Sequence, residues 1–287
     1  MTKQKAINWE IPPIDQSIRK FERYILGLGF AESTVIDYLG RARRYLEYCN
    51  KSEPTERDAI KFRDRLIDRR LSKSSINNYS FVIKNYHRMI GRPVELPFIK
   101  MGEKLPYFFD EHDIQRIFDA TTNIKYLSIL QIGFFAGLRA SEVASLDDSD
   151  IDLINKTVRV RSGKNDRDAI LYFNDACANT LGLYLERRPR LETNGHSPLF
   201  YSNQKKCYGR RMIYNIFRRC KAKACIDKPG GAHVFFRHSS ATLLLKRGCD
   251  LLTVKELLRH KDIKTTEKYL HLTDEVKRSK YDKFLKL

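Results

Sequence analysis

The sequence contains no apolar run long enough to cross a bilayer. The longest one, residues 126–138, is interrupted by Gln131, whereas a membrane-spanning helix takes about 20 residues. The N-terminal stretch MTKQKAINWEIPP lacks the apolar core of a signal peptide. The six cysteines form no CxxC pair and no Cys/His spacing typical of zinc sites. We therefore expect a reduced, cytoplasmic protein with no membrane partner, no disulfide framework and no metal.

Positive charge is what the chain has in excess. Its 287 residues carry 54 lysines and arginines against 35 aspartates and glutamates, a formal net charge of +19. Residues 1–100 hold 20 basic and 12 acidic side chains, and residues 101–287 hold 34 and 23, so both parts are basic. This excess predicts a polyanionic partner, with nucleic acid favoured over an anionic membrane surface. Two basic bodies could grip one polyanion from two sides.

The first 90 residues show the pattern of four amphipathic helices, the first ending at Gly27 and Gly29. Thr55, followed three residues later by Asp58, predicts a capping box at the start of the third helix. The stretch 91–106 contains three prolines and no sustained period. We interpret it as an extended linker between a domain over residues 1–90 and a domain over residues 107–287.

The second domain mixes helices with a small sheet. Residues 157–161 and 169–173 alternate apolar and polar side chains around the turn sequence SGKNDRD, which predicts a β-hairpin. A charged amphipathic tail begins at Asp274. The fold class is therefore mixed α+β and mostly helical, with four N-terminal helices and a small antiparallel sheet in the C-terminal domain. Helices are predicted over about 114–120, 127–135, 140–146, 175–187, 208–224, 238–247, 251–259 and 264–271.

Several segments of the second domain carry side chains suited to attack on a phosphodiester without a metal. The chain shows no carboxylate pair and no Gly-rich phosphate loop, whereas guanidinium forks match phosphate oxygens bidentately. A tyrosine with its free pKa of about 10 needs neighbouring cations or a base to act as a nucleophile. On spacing alone, an arginine in so basic a chain is more often a solvated charge or a contact to the DNA backbone than a catalytic group. A tyrosine is likewise more often a half-buried helix residue than a nucleophile. The segments are AGLRASEVASL with Arg139, the hairpin tip with Lys164, AHVFFRHSSATLLL with His233 and Arg237, and LLRHKDIKTTEKYLH with His260 and Tyr269.

These segments resemble the signature motifs of the tyrosine recombinases, most closely the compact Xer and phage-integrase type, over nearly the whole chain. AGLRASEVASL is similar to the first box, with Arg139 and Glu142 three residues apart. SGKNDRDAILYF resembles the hairpin of the family's lysine, which falls on Lys164. The stretch from RHSSATLLL to EKYLH resembles the second box through to the nucleophile, and it supplies Arg237, His260 and Tyr269.

One departure from the family pattern concerns His233. The family's histidine stands three residues before the arginine, whereas His233 precedes Arg237 by four and Val234 occupies the aligned position. Either the backbone accommodates the shifted histidine or that role is missing. A histidine that caps or hydrogen-bonds near a helix start is the alternative interpretation.

The resemblance implies a site-specific DNA recombinase that needs no metal, cofactor or ATP. Tyr269 would attack a phosphodiester to form a 3′-phosphotyrosyl link and release a 5′-hydroxyl group. Lys164 would protonate that leaving oxygen, and His233 would help to deprotonate Tyr269. The remaining residues would hold the phosphate (Arg139, Arg237 and His260) or orient their neighbours (Glu142).

The resemblance also implies partners. The first 90 residues resemble a SAM-like core-binding domain that clamps double-stranded DNA at a specific recombination site. The C-terminal helix would dock onto a neighbouring protomer in a tetramer, although packing on its own domain is an alternative. A DNA translocase or accessory proteins are further partners. Candidate phosphate contacts, each equally open to being ordinary surface charge, are Arg41, Arg43, Arg44, Lys73 and Lys84.

The biological task stays open at this point between chromosome-dimer resolution in chromosome partition and cell division, integration of a mobile element and plasmid maintenance. A type IB topoisomerase, which shares the tyrosine chemistry, is one alternative function. A DNA-binding protein with impaired catalysis, suggested by the shifted His233, is the other.

Overall fold

The computed structural model describes residues 13–102, 107–161, 168–193, 195–269 and residue 281. The chain divides into two compact units, Met1–Glu103 and Lys104–Leu287, and each unit has its own apolar core. Among the described residues, no helix combines the length and the apolar character that crossing a membrane requires.

The first unit contains the four predicted helices, α1 (Pro13–Gly27), α2 (Glu32–Cys49), α3 (Glu56–Asp68) and α4 (Lys73–Met89). The capping box that opens α3 is confirmed, because the Asp58 backbone N–H donates to Thr55 Oγ1 and the Thr55 backbone N–H donates to the Asp58 carboxylate. The apolar stripes of the helices meet in a core that contains the fully buried side chains of Phe21, Tyr45, Leu46, Ile83 and Tyr86.

Part of the predicted linker packs against the first unit. Residues 92–102 form neither helix nor strand, yet Val94 and Leu96 are buried in the core of the first unit. The Asn77 side chain of α4 donates to the Ile99 carbonyl and accepts from the Ile99 backbone N–H, at 2.9 and 2.8 Å. Part of the predicted linker is therefore anchored to the first unit, and the domain bounds at residues 90 and 107 stay a prediction. An irregular segment has no period from which burial could be predicted.

The second unit confirms the predicted mixture of helices and a small antiparallel sheet. Its strands lie in the order β1 (Ile151–Asp152), β2 (Thr157–Val160), β3 (Ala169–Tyr172), with Val158 opposite both Ile151 and Leu171. The two-residue β1 was not predicted, because it is too short to show alternation. The helices are α5 (Glu111–Asp119), α6 (Ile124–Phe135), α7 (Ala140–Ala144), α8 (Asp175–Arg187), α9 (Arg210–Lys223), α10 (Ser240–Lys246), α11 (Leu251–Leu257) and α12 (Lys264–Glu267).

A π-helical turn, Val234–Ser239, leads directly into α10 and packs closely against α6. The ring of Phe236 lies over Gly133 of α6, where a Cβ atom would come within 2.7 Å of the ring. The neighbouring Phe235 is fully buried and contacts the rings of Phe109 and Phe217. A dense aromatic core therefore holds the π-helical turn in place.

Candidate active site

Arg139 owes its position to the turn that ends α6. The Leu138 N–H donates to the Gly133 carbonyl at 2.9 Å and the Gly137 N–H donates to the Phe134 carbonyl at 3.2 Å, the two hydrogen bonds of a Schellman motif. Gly137 adopts a φ of +60°, and a Cβ atom there would lie 2.6 Å from Leu258 Cδ2. Only glycine satisfies both demands. The turn leaves Arg139 at the N-cap of α7.

Glu142 joins two arginines from distant parts of the sequence. Its carboxylate accepts from the Arg139 backbone N–H and guanidinium, both at 2.7 Å, and from Arg259 Nη2 at 2.6 Å. Burial alone would raise the pKa of Glu142, but these donors and the Arg259 charge outweigh burial and lower it. The Arg139 side chain nevertheless stays 47% exposed. Glu142 thus fixes the direction of Arg139 while leaving it accessible.

Arg237 is buried, with only 2% of its surface exposed. Its Nη1 atom donates to the Gly137 carbonyl at 2.7 Å and its Nη2 atom donates to the Leu258 carbonyl at 2.6 Å. Burial and the nearby Arg139 charge lower the pKa of Arg237 to about 10, so the guanidinium keeps its proton at neutral pH. These two carbonyls hold it next to Arg139.

The π-helical turn bears directly on the shifted His233, which immediately precedes it. A π turn closes i→i+5 hydrogen bonds and therefore holds one residue more than an α turn. The π-helical turn therefore accommodates the extra residue between His233 and Arg237. Although His233 keeps solvent access, partial burial and the Arg237 and Arg139 charges lower its pKa. His233 thus lies near both arginines, and its part in the reaction stays a prediction.

Tyr269 follows α12 and packs inward, with 4% of its surface exposed. It shares a small apolar core with Ala241, Leu245, Val254 and Leu258. Burial raises the pKa of Tyr269 to about 12, and Arg237 opposes this increase. The hydroxyl group is therefore protonated at neutral pH and has a cation nearby.

His260 lies between α11 and α12, and its Nδ1 atom is 2.8 Å from the Thr266 hydroxyl oxygen. Burial, followed by the Arg237 and Arg139 charges, lowers its pKa to about 4. The ring is neutral at physiological pH, so one nitrogen donates and the other accepts a hydrogen bond, and the tautomer decides which is which.

The structure thus gathers Arg139, Glu142, His233, Arg237, His260 and Tyr269 in one cluster of the second unit, whereas Lys164 lies outside the described residues. Sequence reasoning missed two residues of this cluster. Arg259 shares Glu142 with Arg139. His238 lies 3.0 Å from His233, measured between Nε2 atoms, and its ring meets that of Tyr269. Each is the sequence neighbour of a predicted site residue, Arg259 of His260 and His238 of Arg237, and this proximity is the signal that could have indicated them.

The candidate DNA contacts of the first unit already have protein partners. Arg41 pairs with Asp37 at 2.7 Å and stacks over the Tyr79 ring, whose hydroxyl accepts from Arg44 at 3.2 Å. The other three contact Asp15 (Arg43), the Lys100 carbonyl (Lys73) and Glu95 (Lys84). Their predicted role in DNA binding stays a prediction.

Helix α9 is a basic surface that sequence reasoning did not single out. Its inner side chains, such as Ile213 and Phe217, are buried, and the helix contains no aspartate or glutamate. Six basic and no acidic residues within one predicted helix could have shown this. Its basic residues are Arg210, Arg211, Arg218, Arg219, Lys221 and Lys223.

Within the described part of the chain, one group of potential metal ligands lies close together, Asp110, His112 and Asp113. Both aspartates form the capping box of α5, and both accept hydrogen bonds from Lys228. Their oxygens are thus already used in holding the helix start and a lysine, so the group has a structural explanation.

Comparison with known proteins identifies the family. Residues 107–276 match the model of the phage integrase family. The tyrosine recombinase XerA of Saccharolobus solfataricus is 30% identical over 268 residues, which cover 88% of this chain and 87% of the relative. The tyrosine recombinase XerD of Staphylococcus epidermidis is 30% identical over 282 residues, which cover 89% and 93%.

Solved structures agree with this match. The crystal structure of XerA recombinase superposes with a TM-score of 0.58 at 26% identity, over 96% of this chain and 99% of that one. The XerH site-specific recombinase bound to its palindromic difH substrate superposes with a TM-score of 0.70 over 97% and 99%, at 16% identity, a likeness of fold. The resemblance stated from the motifs is confirmed: the chain belongs to the phage integrase family, the tyrosine recombinases that cut and rejoin DNA strands.

Proposed function

We propose that this protein recombines double-stranded DNA at a specific site through a covalent 3′-phosphotyrosyl intermediate on Tyr269. The observation that supports this most is the shared environment of Tyr269 and Arg237. The Leu258 carbonyl accepts from Arg237, the Leu258 side chain packs in the same small core as Tyr269, and the Arg237 charge favours the phenolate. A buried tyrosine beside a buried guanidinium is suited to attack on a phosphate that the guanidinium binds.

In the proposed reaction, the Tyr269 oxygen attacks the phosphorus and the bond from phosphorus to O5′ breaks. Arg139 and Arg237 neutralise the charge that builds up on the non-bridging oxygens, and His260 donates a further hydrogen bond. His233 accepts the phenol proton, and Lys164 gives a proton to O5′. A 5′-hydroxyl of another strand then reverses these steps. The phosphotyrosyl link conserves the energy of the broken bond, so rejoining needs no ATP.

The pKa of Tyr269 explains why a base belongs to this scheme. With a pKa of about 12, roughly one phenol in 10⁵ is ionised at pH 7. The proton must therefore leave as the bond to phosphorus forms. His233 has a lowered pKa, so it is neutral and able to accept that proton at neutral pH.

The positive charge of the chain supports DNA as the substrate. We infer that the four-helix unit and α9 both contact the duplex, so that charge on each unit neutralises phosphates. Six basic and no acidic side chains on α9 make it a strong candidate for a DNA-facing surface. Because each neutralised phosphate releases counterions, we expect the logarithm of the affinity to fall by about 0.9 per contact for each tenfold increase in salt.

We further propose a tetramer joined through residues 274–287. The second unit has a cavity of about 440 Å³, and apolar residues recur in the C-terminal segment at Val276, Tyr281, Phe284 and Leu285, which suits an amphipathic helix. Among these, Tyr281 is 59% exposed. The cavity walls are mainly apolar and include Phe118, Phe135, Leu171, Leu243, Leu244 and Leu257. Mass measurement of the DNA complex, with and without a stop codon at residue 274, tests this step.

The biological task, which we place among chromosome-dimer resolution, integration and plasmid maintenance, follows from the DNA site. The decisive experiment incubates the protein with a pool of nicked duplexes of random core sequence and isolates SDS-resistant protein–DNA adducts. Sequencing the captured DNA then defines the site. We expect adducts that vanish in Tyr269→Phe and persist in the matched control Tyr48→Phe, which removes the hydroxyl of an exposed tyrosine in the first unit.

Three outcomes would overturn the proposal. An adduct that persists in Tyr269→Phe would remove the nucleophile assignment. Relaxation of supercoiled DNA with no preferred sequence would instead indicate a type IB topoisomerase activity. Absence of any adduct from the wild-type protein across the whole pool would indicate a DNA-binding protein with impaired catalysis.

A further inference from the structure

His238 has no part in the reaction proposed above, yet it contacts two residues that do. Its Nε2 atom lies 3.0 Å from His233 Nε2. Its ring also meets the Tyr269 ring edge-on, with centroids 5.5 Å apart and an interplanar angle of 65°. His238 thus links the residue proposed as the base to the residue proposed as the nucleophile.

The π-helical turn creates this contact. Residues five apart on an α-helix point about 140° away from each other, since each residue turns the helix by about 100°. In a π turn, whose hydrogen bonds join residues five apart, the same two positions lie above one another. His233 and His238 are five residues apart and their ring centroids are 4.6 Å apart. The extra residue before Arg237 therefore pairs His233 with His238.

The hydrogen bond between the two histidines restricts their protonation. A contact between two Nε2 atoms needs one N–H donor and one lone pair, so the pair holds a single proton at this point. The surroundings of His238 also disfavour a second proton. Burial, His233 and the Arg237 and Lys268 charges lower the pKa of His238 to about 4, although a hydrogen bond with the Tyr107 backbone opposes this. On the other side, Arg139 and Arg237 face His233. The pair is therefore neutral at physiological pH.

We propose that His238 is a positioning residue, whose Nε2 atom holds His233 in one orientation while its ring packs against the Tyr269 ring and keeps the phenol beside Arg237. The proposal rests on the proposed function, since it assigns His238 a role in proton removal from Tyr269. With His238 in place, the His233 Nε2 atom is held in a hydrogen bond and the ring keeps one orientation. Without it, His233 is free to turn away.

Two variants of the full chain separate the two contacts. His238→Phe keeps an aromatic ring against Tyr269 and removes the hydrogen bond to His233. His238→Gln keeps a polar atom that can donate to or accept from His233 and removes the ring. The measurement is the single-turnover rate of adduct formation on the captured nicked duplex, with protein in saturating excess, from pH 5.5 to 9, together with DNA affinity and Tm.

We expect His238→Phe to form adduct about tenfold more slowly or worse, since general-base catalysis contributes on the order of 10²–10⁴ and only part of it is lost. The acid limb of its pH profile moves, because His233 has lost the contact with His238 that influences its pKa. DNA affinity is unchanged. His238→Gln keeps the wild-type acid limb. In the double variant with His233→Gln, the losses are less than additive, because both changes break one hydrogen bond.

A His238→Phe protein with the wild-type rate and acid limb would overturn the proposal, and so would equal losses in both variants that follow Tm. If His238→Phe melts far below the wild type, His238→Gln decides, because it keeps a polar partner for His233. A shifted acid limb in that variant contradicts the proposal. The wild-type adduct and its loss in Tyr269→Phe test the recombinase assignment separately.

Discussion

Replacing Arg237 by lysine separates the structural from the chemical work of this side chain. Arg237 donates to two carbonyls on different segments, those of Gly137 and Leu258. A lysine amine occupies one point and can reach one of them, so one buried carbonyl loses its charged partner. A hydrogen bond to a charged group contributes about 1.5–3 kcal/mol. Lysine also starts from a lower pKa than arginine, and burial lowers it further.

We therefore expect Arg237→Lys to lower the free energy of unfolding of the second unit by about 1.5–3 kcal/mol. For a domain of this size each kcal/mol corresponds to about 2–4 °C in Tm, so the transition moves down by roughly 3–12 °C. Adduct formation falls by about 10²–10³, the effect of removing one donor from a preorganised oxyanion site. Differential scanning calorimetry and the single-turnover adduct assay measure the two effects.

Arg139→Lys is the matched control. Arg139 is half-exposed and pairs with Glu142, a contact that lysine can keep, and an exposed ion pair contributes about 0–1 kcal/mol. We expect Tm to change by less than about 4 °C while adduct formation falls by about 10². Equal Tm values for Arg237→Lys and the wild type would refute the reasoning from the two carbonyls. A wild-type adduct rate in either variant would refute the proposed binding of the phosphate.

Three further predictions concern stability. Gly133→Ala puts a methyl group 2.7 Å from the Phe236 ring and should lower the free energy of unfolding by about 1–3 kcal/mol. The same change at Gly182, where the nearest atom is 3.8 Å away, should raise the free energy of unfolding by up to about 1 kcal/mol. Equal melting curves for the two variants would contradict this. Glu142 has a lowered pKa, so its contribution is complete above its ordinary value of 4.5 and disappears as pH falls through the lowered pKa. The Tm deficit of Glu142→Gln should accordingly shrink in acid, and a deficit independent of pH would argue against the ion pairs. Burial lowers the pKa of His87, so the first unit should lose stability as pH falls below 6.5, and His87→Gln should flatten this dependence in calorimetric scans.

The helices could be predicted because their signals are local. The capping pair Thr55 and Asp58 lies within four residues, and the apolar stripes of α2 and α8 repeat within each turn, so both helices occur at or very near the predicted bounds. The hairpin showed alternation over two short runs and was confirmed in the same way. By contrast, the burial of Val94 and Leu96 depends on the surface that the four helices of the first unit present together, which no local pattern contains.

The residue types of the candidate site, and their order along the chain, were determined by the sequence alone, because the motifs around Arg139, Arg237 and Tyr269 are continuous segments. Only the tertiary structure decided what these segments do for one another. Arg237 donates to the Gly137 carbonyl, 100 positions away in the sequence, and Arg259 donates to the Glu142 carboxylate, 117 positions away. The meaning of one extra residue before Arg237 was likewise a matter of backbone geometry. In the sequence, the spacing of four between His233 and Arg237 does not show whether the histidine reaches the site. In the structure, a π turn packed between Gly133 and the aromatic core places His233 over His238. Packing of this kind depends on the whole fold.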